Sequence, residues 1–285
     1  MQTVTSKDGT TIAYERTGSG PTVILVGGAL SFRGFSKMEE LAELLSERCT
    51  VINYDRRGRG DSTEATPFDH ATALEREIED IAALIEAEGG SASLWGWSSG
   101  GALALRAAAA GIGVQRVSVF EVPFMVDPGH NRPTRDYGER LDELVAADDR
   151  SGAVKHFMRN AIGIPAPFVA LMRLMPMWKD LKATAHTLPY DWAALGQHTM
   201  YGEPLRFEEW APVEMPALVA YGGKSPSVLQ QGSKSLARVL PNAEIEELPG
   251  VSHNLKMDML APVLADFLTG ERARVTRAAS TLVTA

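Results

Sequence analysis

The sequence predicts an α/β protein in which a mostly parallel sheet of eight strands is covered by helices on both faces. Short apolar runs typical of buried strands alternate with helical segments over the first 120 residues, and the alternation returns after residue 216. A second indication is Gly96-Trp97-Ser98-Ser99-Gly100, which stands between a predicted strand and a predicted helix. Its glycines allow a strand and a helix to pass close together.

The predicted strands are short apolar or alternating runs. Asp8-Gly9 is a strong hairpin signal, so the first two strands should pair directly. The continuous apolar runs that follow are typical of strands buried on both faces of a parallel sheet. The eight predicted strands span residues 2–6, 11–16, 22–26, 50–54, 92–95, 114–120, 217–221 and 243–247.

The connections between these strands have helical spacing. Residues 71–89, for example, carry one apolar face formed by Leu74, Ile78, Ile81, Leu84 and Ile85. Because helical crossovers join strands that run in the same direction, they predict parallel pairing. The other predicted helices span residues 37–48, 101–110, 233–239 and 257–268.

The pattern changes between the sixth and seventh strands. Residues 125–210 contain no clear strand and are rich in helix formers, Met, Phe and Trp. We therefore expect one core formed by residues 1–124 and 211–271, with a helical insertion at 125–210. Residues 272–285 are polar and rich in Thr and Ala, and are expected to form a flexible C-terminal tail.

Composition and charge exclude several classes of function. The net charge of −8 and the pI near 5.3 argue against a nucleic-acid partner. Cys49 is the only cysteine, which excludes a disulfide framework and a thiolate metal site; with no HExxH motif either, we expect no metal and no cofactor. The absence of a long apolar run or an apolar N-terminal region predicts no membrane span and a cytoplasmic location.

Ser98 is the candidate nucleophile, because a serine on a sharp strand-to-helix turn projects its hydroxyl at the sheet edge. A serine hydroxyl is a weak nucleophile, so it needs a general base, which in turn needs an orienting acid. Of the six histidines, only His253 follows the last predicted strand, in a loop rich in Pro and Gly. That loop should lie at the same sheet edge as Ser98. The alternative interpretation is a histidine that simply begins the last helix.

Two further motifs make the chain resemble the α/β-hydrolase-fold serine hydrolases over nearly its whole length. Residues 23–30 (VILVGGAL) match the family's apolar strand and Gly-containing oxyanion loop, and residues 55–62 (DRRGRGDS) match its Asp-x-Arg-Gly-x-Gly-x-Ser stretch. The resemblance implies an oxyanion hole formed by the backbone N–H groups of Ala29 and Ser99. It also implies a structural role for residues 55–62, and a cap over the site formed by residues 125–210.

The candidate acid departs from the family pattern. Relatives usually place an aspartate shortly after the seventh strand, where this chain has Ser225. Glu121 stands at the C-terminal end of the sixth predicted strand, directly after residue 120, and some family members, including certain haloalkane dehalogenases, place their acid at that strand end. We therefore predict a triad of Ser98, His253 and Glu121. A purely local role for Glu121 stays open.

The Met-rich and aromatic insertion favours an apolar substrate pocket. We expect its lining to include Gly28, Trp97, Met172, Met175 and Trp178. The predicted partner is a small hydrophobic molecule, and the predicted reaction is hydrolysis of an ester, thioester or lactone with a hydrophobic acyl or ring portion. A serine nucleophile argues against epoxide hydrolase and haloalkane dehalogenase chemistry, which use Asp. Carbon–carbon bond hydrolysis by the same triad, a non-catalytic ligand-binding role and a homodimer all stay open.

Overall fold

A computed structural model describes residues 1–127 and 132–271. Eight strands form a single sheet in the spatial order β1-β2-β4-β3-β5-β6-β7-β8. This arrangement confirms the predicted fold class. The strands are β1 (Gln2–Thr5), β2 (Thr11–Gly18), β3 (Thr22–Val26), β4 (Thr50–Tyr54), β5 (Ala92–Trp97), β6 (Val114–Phe120), β7 (Ala217–Gly222) and β8 (Ala243–Leu248).

Pairing in the sheet is antiparallel at one edge and parallel elsewhere. β2 pairs antiparallel with β1 and with β4, and every pair from β4 through β8 is parallel. β3 lies between β4 and β5, so the chain adds strands on one side of β3 and then on the other. Such a switch point leaves a crevice beyond the carboxyl ends of the two central strands. The loop after β3 and the turn after β5 meet there.

Helices cover both faces of the sheet. In chain order they are α1 (Ser36–Ser46), α2 (Ala73–Ala87), α3 (Ser99–Ala109), α4 (Tyr137–Ala146), α5 (Arg150–His156), α6 (Ala166–Met172), α7 (Met177–Thr184), α8 (Leu188–Leu195), α9 (Phe207–Trp210), α10 (Ser227–Val239) and α11 (Met257–Thr269). A π-helical turn at Phe157–Ala161 continues α5, and 3₁₀ turns at Ala185–Thr187 and Gln197–Met200 flank α8.

Alternate residues of the central strands feed two separate apolar layers. Val23 and Leu25 of β3 pack with side chains of α1 and α11, whereas Ile24 and Val26 pack with those of α2 and α3. This alternation follows from the two-residue repeat of a strand. The second layer also contains Leu188 and other buried residues from between β6 and β7. That segment therefore shares the core of this face.

Helix α10 begins earlier than the sequence predicts. The prediction started at residue 233, but the helix starts at Ser227, directly after Pro226. In its first two turns the apolar residues Val228 and Leu229 are adjacent and are followed by Gln, Gln and Gly232, so these turns lack the apolar spacing that signals a helix. Gly232 packs tightly here, since a Cβ on it would lie 2.6 Å from the carbonyl oxygen of Phe124.

The described residues between β6 and β7 form helices and turns and contain no strand. The predicted tail at 272–285 lies outside the described residues. Within residues 1–127 and 132–271, no helix combines the length and the apolar character that crossing a bilayer requires.

Candidate active site

Ser98 lies on a strained turn between β5 and α3. Its backbone has φ 56° and ψ −127°, a conformation that non-glycine residues rarely adopt. Two hydrogen bonds hold the turn: the Ser98 N–H donates to the Phe120 carbonyl at 2.9 Å, and the Gly101 N–H donates to the Ser98 carbonyl at 2.9 Å. Strain of this kind persists only where the surroundings fix it.

The glycines of the turn permit contacts that a side chain would block. A Cβ on Gly96 would lie 2.5 Å from the Cα of Gly101, and a Cβ on Gly100 would lie 2.3 Å from the carbonyl oxygen of Val26. Helix α3 can therefore begin directly against the ends of β3 and β5. The glycines at both ends of the pentapeptide therefore allow the close approach of strand and helix that the sequence predicts.

His253 and Glu121 form a hydrogen-bonded pair. Imidazole Nδ1 lies 2.8 Å from Glu121 Oε2, and the side chain of Glu121 is fully buried. The other carboxylate oxygen, Oε1, accepts a hydrogen bond from the Gly222 N–H at 2.7 Å. A carboxylate can only accept, so Nδ1 carries the proton and Nε2 is left available as a base.

The loop that carries His253 is anchored on both sides of the histidine. Val251 and Leu255 are buried in the core layer beneath it. The Val251 carbonyl accepts a hydrogen bond from the Lys224 N–H at 2.8 Å, which ties this loop to the loop after β7. The ring of Trp97 lies 6.1 Å from the imidazole, centroid to centroid.

Two adjoining cavities contain both Ser98 and His253. The larger, of about 260 Å³, extends beneath the insertion and also contains Ala29 and Ser99. Its apolar lining comes from the loop after β6, the insertion and the start of α10, and includes Met125, Phe157, Ala161, Leu188, Leu195, Met200 and Leu229. Of the described residues that line it, none is Lys or Arg.

Gly28 brings the loop after β3 against the candidate nucleophile. A Cβ on Gly28 would lie 2.8 Å from the Trp97 carbonyl oxygen and 3.2 Å from the Cβ of Ser98. The same loop places Ala29 in both cavities beside Ser98. Gly28 and Trp97, two of the predicted lining residues, line the smaller cavity, of about 180 Å³.

The other three predicted lining residues lie outside both cavities. Met172, Met175 and Trp178 line neither of them. Met175 is 49% exposed, whereas the Trp178 indole packs inside the apolar core and Met172 packs against that core. Composition indicated an apolar insertion, but it could not show which side of α6 and α7 faces the site.

Sequence reasoning missed a buried ionic cluster beside the site. Asp191 of α8 accepts hydrogen bonds from Arg56 Nη1 at 2.5 Å, from Arg59 Nη2 at 2.7 Å and from Ser99 Oγ at 2.9 Å. Glu77 of α2 pairs with Arg56 through two bonds of 2.7 Å. All four charged side chains are almost fully buried.

Charge pairing keeps Asp191 ionised. Burial raises the pKa of its carboxyl, but Arg56, Arg59 and the hydrogen bond from Ser99 together hold that pKa below its ordinary value. A signal for this residue was present in the sequence, because Asp191 is the single charged residue in the otherwise apolar helix α8. Buried carboxylates of this kind require charged partners.

Among the described residues, no group of three or more His, Cys, Asp or Glu side chains is arranged to hold a metal ion. The groups that meet at the switch point are instead a serine on a strained turn, a histidine and a buried carboxylate. In chain order they run Ser, Glu, His, but with the carboxylate at the end of β6. The fold and this convergence define an α/β hydrolase.

Comparison with known proteins agrees with this class. A model of the alpha/beta hydrolase family matches residues 23–265. An alpha/beta hydrolase from Sphaerobacter thermophilus DSM 20745 is 46% identical, with a TM-score of 0.84; the match covers 94% of this chain and 100% of that chain. The chain therefore belongs to the alpha/beta hydrolase family.

More distant solved structures share the fold. A thermophilic esterase from Thermogutta terrifontis is 20% identical with a TM-score of 0.64, over 95% of this chain and 99% of that one. The enol-lactonase from Burkholderia xenovorans LB400 is also 20% identical with a TM-score of 0.64, over 94% and 100% of the two chains.

Proposed function

We propose that the protein is a serine hydrolase that cleaves an ester, thioester or lactone with a hydrophobic acyl or ring portion. The observation that carries the proposal is the convergence of Ser98, on its strained turn, with the hydrogen-bonded pair of His253 and Glu121 in one apolar cavity. Family membership supports hydrolase activity in general. The residue roles and the substrate class below are proposals.

In the acylation step, Ser98 Oγ attacks the substrate carbonyl carbon while its proton passes to Nε2 of His253. The carbonyl oxygen becomes an oxyanion, and the backbone N–H groups of Ala29 and Ser99 donate to it. Glu121 stabilises the imidazolium through Nδ1. When the tetrahedral intermediate collapses, the bond to the leaving group breaks, and His253 returns its proton to the departing oxygen or sulfur.

In the deacylation step, water replaces the leaving group. His253 Nε2 takes one proton from the water, and the resulting hydroxide attacks the acyl carbon. A second oxyanion forms in the same place and collapses, breaking the bond to Ser98 Oγ. The serine oxygen takes back its proton from the imidazolium, and the carboxylic acid leaves.

The cavity lining supports a neutral, apolar substrate portion. Transfer of apolar groups from water to an apolar pocket is favourable, and most of the cavity surface is aliphatic or aromatic. An anionic substrate would find no Lys or Arg among the described lining residues. The esterase and the enol-lactonase that share the fold act on bonds of the proposed class.

The test uses a fluorophosphonate probe and two single variants. The probe should label the native protein, and peptide mass mapping should place the adduct on Ser98. Ser98→Ala should remove both labelling and ester hydrolysis, and His253→Ala should reduce both, with thermal unfolding close to that of the native protein. Adduct on Ser99 or Ser252 would contradict the assignment, and a folded protein that takes no label would indicate a ligand-binding role.

Product analysis separates the proposed reaction from carbon–carbon bond hydrolysis. With an ester substrate the products are an acid and an alcohol, whereas a diketone would yield an acid and a shorter ketone. Faster turnover of diketones than of matched esters would favour the second reaction. Activity should also be unchanged in EDTA, because the proposed steps use only side-chain and backbone groups.

A further inference from the structure

One peptide unit links the buried ionic cluster to the proposed oxyanion hole. The carbonyl of Gly28 and the N–H of Ala29 belong to the same peptide unit, which is planar, with its C=O and N–H bonds pointing in opposite directions. Whatever fixes the direction of the Gly28 carbonyl therefore also fixes the direction of the Ala29 N–H. That N–H is the first proposed oxyanion donor.

The Gly28 carbonyl accepts three hydrogen bonds. Arg59 Nη1 donates to it at 2.7 Å, Ser31 Oγ at 2.7 Å and the Ser31 backbone N–H at 3.2 Å. Arg59 also donates to the Ser31 carbonyl at 3.1 Å. The guanidinium is 1% exposed, so these are charge-assisted bonds in a protein interior, where such bonds are strong.

Arg59 is in turn fixed by the insertion. Its Nη2 donates to Asp191 Oδ2 at 2.7 Å, and its Nε donates to Thr187 Oγ1 at 2.9 Å. The other oxygen of the same carboxylate, Oδ1, accepts from the hydroxyl of Ser99 at 2.9 Å. The backbone N–H of Ser99 is the second proposed oxyanion donor. Asp191 therefore bonds both to Arg59, which holds the Gly28–Ala29 peptide, and to the side chain of Ser99.

We propose that Arg59, held by Asp191, is a positioning residue of the oxyanion hole. Arg59 aims the Ala29 N–H through the Gly28–Ala29 peptide and strengthens it as a donor by polarising that peptide. Asp191 orients Arg59 and Ser99 together. The inference rests on the proposed function, and it gives part of the stretch at residues 55–62 a role in the reaction that its family resemblance did not imply.

The two arginines of the cluster neutralise the two carboxylates. A lone carboxylate near a developing oxyanion would destabilise it by repulsion. Arg56 and Arg59 supply two positive charges, and Asp191 and Glu77 supply two negative charges. The cluster is neutral, so it adds no net charge near the oxyanion. Its proposed effect is to fix the orientation of the peptide groups that donate to the oxyanion.

The test compares Arg59→Lys with Arg57→Lys. Arg57 is equally buried and makes two bonds to Asp80, of 2.8 and 2.6 Å, and one to Asp8, but the bonds the structure gives it do not reach the loop after β3. Lysine keeps the positive charge and loses the planar fork. Both substitutions therefore weaken a buried arginine–carboxylate pair without removing the positive charge, and of the two arginines only Arg59 donates to the Gly28 carbonyl.

The readout is the affinity for two inhibitors with the same alkyl chain. A trifluoromethyl ketone adds to Ser98 and carries an oxyanion, whereas the corresponding secondary alcohol fills the cavity without one. Removing one oxyanion donor entirely costs about 10²–10³-fold in kcat. For Arg59→Lys we expect a loss of roughly tenfold to a hundredfold in kcat and in ketone affinity, with alcohol affinity and KM little changed. Arg57→Lys should leave the ratio of the two affinities as in the native protein.

Equal losses for ketone and alcohol in Arg59→Lys, or an unchanged ratio, would overturn the inference. If that variant fails to fold, Ser31→Ala decides instead, because it removes one neutral donor to the Gly28 carbonyl and leaves the ionic cluster intact. Ser31→Ala should lower ketone affinity several-fold and leave alcohol affinity unchanged; an unchanged ketone affinity would overturn the inference. A native protein that forms no ketone adduct would refute the proposed function itself, which is a distinct outcome.

Discussion

Backbone strain is concentrated at the candidate site. Among the described residues, four that are not glycine have a positive φ, and three of them lie at the site: Leu30 at 62°, Ser98 at 56° and Glu121 at 48°. Each such residue costs on the order of 1–3 kcal/mol, so it persists only where the surrounding structure fixes it. Leu30 follows Ala29 in the loop after β3, and Ser98 and Glu121 directly follow the adjacent strands β5 and β6. The three strained residues therefore lie on neighbouring segments that meet at the candidate site.

The first prediction is that Glu121→Gln lowers kcat by several orders of magnitude. An amide still fits the space but cannot stabilise an imidazolium, and it can hold the ring in the wrong tautomer; the comparable change in a known triad costs roughly 10⁴-fold. Steady-state kinetics should show the loss in kcat, with the thermal midpoint measured alongside. Near-native activity in this variant would refute the proposed role of Glu121.

Ser225 provides the matched control. It occupies the position at which the family resemblance would place the acid, it is buried, and its hydroxyl has no hydrogen-bond partner among the described residues. It also lies beside the carboxylate, since its N–H donates to the carbonyl of Gly222, whose own N–H bonds to Glu121. Ser225→Ala should leave activity nearly unchanged. Adding Ser225→Asp to Glu121→Gln should restore part of it.

At the scale of single residues, motifs and strand ends located the candidate triad, whereas composition did not locate the residues that line the cavity. The sequence predicts Ser98 from its strand-to-helix turn, His253 from the loop after the last strand and Glu121 from the end of the sixth strand. Carboxyl ends of parallel strands share one edge of a sheet. Their convergence in the structure follows from that topology. Asp191 and Arg59 were missed as a pair because 132 residues separate them in the chain, and no local spacing signals a contact of that range.

Among the elements, buried strands were the most predictable. Residues 22–26, 50–54 and 114–120 were predicted with the bounds that β3, β4 and β6 show. The runs of β3 and β4 are explained by burial on both faces, whereas β6 is buried over its last four residues. The helices between β6 and β7 are short and irregular, with a π-helical and two 3₁₀ turns, so their apolar residues do not repeat at a clean helical period.

The second prediction concerns the junction of α3 with the central strands. In Gly100→Ala the new Cβ would lie 2.3 Å from the Val26 carbonyl and 2.5 Å from the Gly27 carbonyl, both backbone atoms. Overpacking typically destabilises by roughly 1–3 kcal/mol and occasionally more. We expect Gly100→Ala to fall at or above the upper end of that range, measured by urea unfolding.

Gly34→Ala is the control for this substitution. Its Cβ would meet only the ring edge of Phe32, at 3.1 Å, and the ring can rotate away. Its free energy of unfolding should therefore stay much closer to that of the native protein. Equal destabilisation by the two substitutions would show that close approach of the backbones is not the reason for glycine at position 100.

At the scale of the whole molecule, the insertion and the core form one structure around the cavity. The cavity lining takes Ala29, Ser99 and Leu229 from the core and Phe157 and Leu188 from the insertion. Buried ion pairs from Asp191 to Arg56 and Arg59 fasten the insertion to the loop after β4. The same two arginines donate to backbone carbonyls of the loop after β3, which lies beside the candidate nucleophile. Substrate binding and the proposed reaction centre therefore depend on the same contacts.

The last prediction is that this shared cavity sets a chain-length preference. Burial of each methylene contributes about 0.8 kcal/mol, which is roughly a fourfold gain. For 4-nitrophenyl esters, kcat/KM should therefore rise from acetyl to medium acyl chains, and should stop rising once the cavity of about 260 Å³ is filled.

Ala161 lines that cavity, so Ala161→Phe should move the optimum to shorter chains while acetyl ester hydrolysis changes little. Asn160 is the adjacent residue, is exposed and lines neither cavity that contains Ser98, so Asn160→Phe should keep the native profile. A profile that is flat across chain length in the native protein, or that shifts equally in both variants, would contradict the idea that the insertion covers the acyl chain.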